Sequence, residues 1–266
     1  MRVTFDSNSY RQVVDPARAH RDASVSELQK IHDALKDGRI SGYLSETVAT
    51  LEGIQNAQRG PYFASMRPTI ELQQEELPGG VIKLGIVMKP NDGLHPGLHP
   101  IVTRWLTDAV ALGIKFLRAP RTGAPRPTEL LANVFEIDAD ESQQAQRQGR
   151  FFDLGQKIES RRVGIAVVKA LGNGINVRLG VAKPWFASLD QPIDIHEENR
   201  VKRAISEWAD GDTVAAHYGY ENDYLCSRDR GGSGDAPSIF DTQNRAWVVA
   251  DHGIQFVTLP ELATMV

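Results

Sequence analysis

Two short strands each end on a carboxylate. Val3-Thr4-Phe5 is β-branched and aromatic, and Asp6-Ser7-Asn8-Ser9 closes it with residues that favour turns and helix caps. Tyr224-Leu225-Cys226-Ser227 is a mostly apolar segment suited to a buried parallel strand, and Arg228-Asp229-Arg230-Gly231 leaves it polar and charged. Ligands of open α/β sheets bind in the crevice beyond the carboxyl ends of the strands, so Asp6 and Asp229 both stand where a site is expected. A third acid, Asp212, reads as opening a helical run, Val214 to Tyr218, that Gly219 ends. Asp is also a favoured N-cap and turn residue, which gives each acid a structural reading when taken alone. Its repetition at two strand ends argues for a shared site.

The elements that must position these acids follow from apolar spacing. Leu28, Ile31 and Leu35 predict a helix that stops near Gly38. A second helix is expected over residues 43–54, with Leu44, Val48, Leu51 and Ile54 as its buried stripe. It carries Glu46 and Glu52, about 240° apart around a helix, so at most one can face a site. Val201, Ala204, Ile205 and Trp208 predict a helix before the acidic stretch, Trp247, Val248 and Ala250 another ending at Gly253, and residues 254–258 a last strand before Pro260-Glu261-Leu262. A phosphotransferase of the haloacid dehalogenase type would need a second Asp two residues after the first, where this chain has Asn8.

In motif order and spacing the first 58 or so residues and the last 70 resemble the PIN domain, a family of metal-dependent nucleases. The resemblance rests on FDSNS after the first strand, ISGYLSETVATLE, and DTVAAHYG followed by DYLCSRDRG. It implies a central parallel sheet flanked by helices, with Asp6, Glu46, Asp212 and Asp229 around one or two Mg²⁺ or Mn²⁺ ions and Glu52 as the substitute for Glu46. Ser7, Asn8 and Ser227 become candidate supporting donors. His217 could touch a substrate phosphate, with a structural role as the alternative.

Those residue types suit that chemistry. Mg²⁺ and Mn²⁺ prefer oxygen ligands, and clustered carboxylates repel one another unless a cation lies between them. A bound ion lowers the pKa of its water and stabilises charge on a phosphate, so phosphodiester hydrolysis, with RNA favoured, is the implied reaction.

The chain departs from the compact nucleases of toxin and antitoxin pairs in length, with 266 residues. Residues 59–195 are expected to form an inserted α+β module between the two parts of a discontinuous PIN-like domain, 1–58 and 196–266. Residues 69–72 and 81–87 flank Pro78-Gly79-Gly80 as a hairpin, residues 101–110 form a helix, and residues 114–117 and 134–137 form strands. Residues 143–156 are helical, and residues 163–168 and 175–181 form a second strand pair turning at Gly172-Asn173-Gly174. Arg118, Arg121, Arg126, Arg147, Arg150, Arg161 and Arg162, with Lys157, are candidates for a phosphate track, since phosphate contacts supply most non-specific nucleic-acid affinity. The doubled Gly-Leu-His-Pro at residues 93–100 does not suit zinc, because proline and glycine forbid the helix that a His pair four apart requires.

Composition bounds the rest. One cysteine, Cys226, excludes an internal disulfide, no apolar run approaches the roughly 20 residues of a membrane helix, and the opening residues lack a secretory segment. A cytoplasmic protein is expected. A net charge of −4 argues against a broadly basic nucleic-acid-coating protein. A catalytically silent PIN-fold binding module and a small-molecule phosphatase stay open as alternatives, as do a homodimer and a protein partner.

Overall fold

A computed structural model of the chain describes residues 1–18, 22–65, 69–77, 81–89, 96–120, 134–231 and 237–266. Its centre is a five-stranded sheet, in which β1 (Arg2–Phe5) lies between β2 (Ser41–Ser45) and β6 (Tyr224–Cys226), with β5 (Lys115–Leu117) and β7 (Phe256–Val257) at the edges. All four pairings are parallel. The α/β class expected from the sequence is therefore the one observed.

The pleat sorts side chains to two faces. Val3, Phe5, Leu44, Phe116, Cys226 and Val257 join one core with α1 (Ser7–Val14), α2 (Val25–Lys36), α4 (Pro100–Ala111) and α9 (Leu259–Thr264). Tyr43, Leu117 and Leu225 point the other way, into a core with α5 (Glu141–Ser160), the C-terminal half of α7 (Ile195–Gly219) and Val248 of α8 (Thr242–His252). The helices start where chemistry says they should. Ser24 and Glu27 form a capping box on α2, as do Thr258 and Glu261 on α9. Gly253 closes α8 in the left-handed conformation. Among the described residues no helix is long and apolar enough to cross a membrane.

Several expectations are overturned. Residues 43–45, expected inside the second helix, belong to strand β2, and only Val48–Glu52 coil, as a π-helical turn. The strand pair expected over 163–181 is a helix, α6 (Ile165–Leu179), whose Ile165, Val168 and Ile175 pack against α7 and α3 (Asn56–Ser65). Gly172 is no turn residue there. A Cβ at that position would lie 2.0 Å from the Trp185 carbonyl oxygen, so its glycine permits close approach of the chain at 184–188. The stretch 134–137 contributes a single bridge, Phe116 with Phe135. The expected hairpin is present as β3 (Thr69–Leu77) and β4 (Val81–Lys89), antiparallel in a sheet of their own, with the intended turn 78–80 outside the described residues. β5 and α5, from the stretch expected to be inserted, complete the central sheet and one of its helical layers.

The largest surprise is α7. Two helices expected on either side of an Asp-Gly-Asp break are one helix of 25 residues. Gly211 sits in its interior, where glycine ordinarily costs about 1 kcal/mol relative to alanine. A Cβ at Gly211 would meet the Gly164 Cα at 2.9 Å, so the glycine is there for backbone contact with the start of α6. Asp212 consequently does not open a helix.

Candidate functional site

The carboxyl ends of β1 and β6 are adjacent, and Phe5 pairs with Cys226. Each strand therefore delivers its following acid to one place. Asp6 caps α1, with its Oδ1 accepting the Ser7 N–H at 2.6 Å. Its Oδ2 accepts the Asn8 amide at 2.6 Å and the Ser227 hydroxyl at 2.7 Å. The Ser227 hydroxyl in turn accepts the Asp229 N–H at 3.0 Å. Asp6 is only 4% exposed, and burial raises its pKa despite these three hydrogen bonds, with the charge of Asp229 adding to the rise.

Of the two glutamates, the structure brings Glu52 to Asp6. The Ser7 hydroxyl donates to Glu52 Oε1 at 3.0 Å, so one serine spans both carboxylates. Burial and then the Asp6 charge push Glu52 up to about 7, against the opposing pull of Arg59 and Arg11. Glu46 lies at the other end of the same segment. Its N–H bonds the Leu117 carbonyl and its Oε1 accepts the Ala119 N–H, which fastens the end of β2 to the exit of β5. The π-helical turn between the two glutamates decides which one reaches inward, a role such turns often have at functional sites.

A parallel exchange occurs on α7. Asp212 is fully buried and accepts the Trp208 indole N–H at 2.9 Å. Asp210, two residues earlier and about 200° around the helix, faces the acids instead. Its pKa is raised well above the ordinary value, first by burial and then by Asp6, Glu52, Glu207 and Asp229 in that order. The helical period already held this signal. Asp212 continues the apolar stripe of Ala204, Ile205 and Trp208, whereas Asp210 falls off it, and only the assumed break at Gly211 hid the distinction.

Asp210, Asp229 and Glu207 line a cleft of about 470 Å³ whose walls come from α6, α7 and the segment before α8. Glu207 Oε1 accepts N–H groups from Gly164 at 3.1 Å and Ile239 at 2.7 Å, tying three elements together, and its burial pushes its pKa up to about 7. Arg59, 7% exposed, lines the same cleft and donates to the carbonyls of Glu52 and Ile54 and to the Ser206 hydroxyl. Arg203 stands exposed at the lining, with no ion-pair partner among the described residues.

Among the described residues, the side chains expected to form a phosphate track do not line this cleft. Arg147 is locked to Asp138 by two hydrogen bonds of 2.7 and 2.8 Å, Arg150 binds the Gly219 carbonyl and Glu221, and Arg118 stacks on Phe135. Arg161 stacks on Trp247 and donates to Asn244, Lys157 pairs with Asp153, and Arg162 follows the end of α5 with a positive φ of 64°. Arg121 and Arg126 lie outside the described residues. His217 is 2% exposed, its Nδ1 lies 2.9 Å from Thr4 Oγ1, and burial pushes its pKa down to about 3, so it packs α7 against β1. His99 caps α4, and His95 is outside the described residues.

Among the described residues, no three His, Cys, Asp or Glu side chains are arranged to hold one metal ion. The donor chemistry nevertheless suits a hard cation. Asp6, Glu52 and Asp210 are oxygen donors whose pKa values are raised first by burial and then by neighbouring acids, and positive charge among them would relieve that repulsion. Compared with known protein families, curated proteins and solved structures, the chain matches none.

Proposed function

We propose that this protein is a PIN-like, Mg²⁺- or Mn²⁺-dependent nuclease that hydrolyses phosphodiester bonds, RNA favoured, at Asp6, Glu52, Asp210 and Asp229. The observation that carries this reading is the meeting of Asp6 and Asp229 through the Ser227 hydroxyl at two adjacent parallel strand ends, with Asp210 and Asp229 lining one cleft. Asp6 and Asp229 would be the direct ligands, with Glu52 and Asp210 acting through water, the usual way Mg²⁺ is held. The ion supplies a nucleophilic water at neutral pH and charge stabilisation at the phosphate. Ser7 and Ser227 fix the orientation of the Asp6 carboxylate, and Arg59, already bound to the backbone of Glu52 and Ile54, gives the cleft a fixed positive floor. Arg203, exposed at the cleft lining, would take a substrate phosphate.

A second reading has its own support. Both Asp6 oxygens are already satisfied by internal donors, as a capping carboxylate's would be, which favours a catalytically silent nucleic-acid-binding module. Incubation of a mixed-sequence single-stranded RNA with Mg²⁺, Mn²⁺ or chelator separates the two. The nuclease cuts only with metal, and Asp6→Asn, Asp210→Asn and Asp229→Asn abolish cutting. Binding without metal-dependent cutting establishes the silent module, and cutting that survives in all three variants rejects the site.

A further inference from the structure

A second cleft, of about 410 Å³, opens beside Ser7 and Asn8, and the acids do not explain it. Ser7 and Asn8, which bond Glu52 and Asp6, line it together with Arg11, Gln12, Trp105, Arg228 and the Asp15–Arg18 ion pair. Arg11 lies over the Trp105 ring, 4.8 Å from its centroid, and among the described residues it has no ion-pair partner. Its Nε has no hydrogen-bond partner, and neither has Oε1 of Gln12, a side chain only 6% exposed that lines the cleft. Arg228 reaches the same cleft and is held by Asp22 at 2.6 Å, leaving part of its guanidinium for other acceptors. Its backbone N–H lies 3.5 Å from Asn8 Oδ1.

A guanidinium lying on a flat aromatic ring, with a second arginine alongside, is the combination that takes a phosphate and an unpaired base together. Arginine planes and indole rings both stack bases, while arginine also binds phosphate through paired N–H groups. We propose that this cleft is a nucleotide subsite, in which Arg11 and Trp105 hold the base of a single-stranded nucleic acid one step beyond the scissile phosphate and Arg228 holds the neighbouring backbone phosphate. The identity of the occupant rests on the nuclease reading of the acids. The subsite makes the protein require a nucleotide on the α1 side of the cut, so that an isolated phosphomonoester is no substrate.

Binding without cleavage tests it. A six-nucleotide single-stranded RNA, and the same chain with abasic residues, are titrated in chelator with affinity read by fluorescence anisotropy. The wild type should prefer the base-bearing chain by about tenfold, the scale of one or two base stacks. Trp105→Leu and Arg11→Ala should each remove that preference, and Arg228→Ala should weaken binding of both chains. Arg39→Ala, at a remote exposed cation, should bind as wild type, and melting curves exclude unfolded variants. Equal wild-type affinity for the two chains, or Trp105→Leu and Arg11→Ala proteins that bind as wild type, overturns the subsite whatever the cleavage assay shows. Retained preference together with no metal-dependent cutting upholds the subsite and rejects the nuclease.

Discussion

Ser227 stands between Asp6 and Asp229, with its hydroxyl donating to Asp6 Oδ2 at 2.7 Å while it accepts the Asp229 N–H at 3.0 Å. Both bonds lie at a fully buried side chain. Ser227→Ala leaves a buried carboxylate oxygen and a backbone N–H short of a partner, a loss on the order of 1–3 kcal/mol. Urea denaturation of the metal-free protein should show that loss at neutral pH, and an unchanged midpoint would mean that water replaces the hydroxyl.

The two glutamates of the 46–52 segment should respond in opposite senses. Glu52 is a carboxylate under repulsion from Asp6, so Glu52→Gln, which can still accept the Ser7 hydroxyl, should stabilise the metal-free protein by about 1–2 kcal/mol at pH 8 and abolish cutting. Glu46→Gln weakens a charge-assisted bond to the Ala119 N–H and should destabilise by about 1 kcal/mol while leaving activity intact. Thermal melts and RNA cleavage on the same two proteins check this, and loss of cutting in Glu46→Gln would reverse the assignment.

His217 sets an acid-side slope. Its folded pKa is about 3 against an ordinary 6.5, so below pH 6.5 the unfolded chain binds a proton that the folded one refuses. Stability therefore falls as pH drops from 6.5 toward 3, by up to about 1.4 kcal/mol per pH unit from this one group. Glu52 and Glu207, both raised to about 7, act with the opposite sign, losing stability as pH rises from their ordinary 4.5 toward 7. The contribution of His217 is thus the difference between wild type and His217→Gln, measured by denaturation at pH 4.5, 5.5 and 7.5. Parallel curves for the two proteins would show that His217 is charged in the fold.

Gly211→Ala separates helix propensity from packing. Alanine gains about 1 kcal/mol in an isolated helix interior. Here its Cβ meets the Gly164 Cα at 2.9 Å, a backbone contact with no flexible side chain to yield. Net destabilisation of about 1–3 kcal/mol is expected, together with weaker cutting as Asp210 shifts. A stabilised variant would show that α6 and α7 can part without cost.

Much of the frame was legible because it depends on local pattern. The apolar stripes of α2, α4 and α8, the capping glycine at 253 and the two short strands before Asp6 and Asp229 all declare themselves over a few residues. Residues 163–181 did not, since their apolar run suits a strand or a buried helix equally, and burial against α7 chooses the helix.

By itself the sequence determined that two strands end on acids, because β-branched and apolar runs followed by turn residues leave little alternative at Asp6 and Asp229. Which other acids join them was a tertiary decision. Glu52 is chosen over Glu46 by a π-helical turn that no local propensity announces, and Asp210 over Asp212 by a helix that runs unbroken through Gly211 because its backbone packs on Gly164. In both cases a shift of a few residues rotates a carboxylate to another side of the coil, and only contacts distant in sequence fix that rotation.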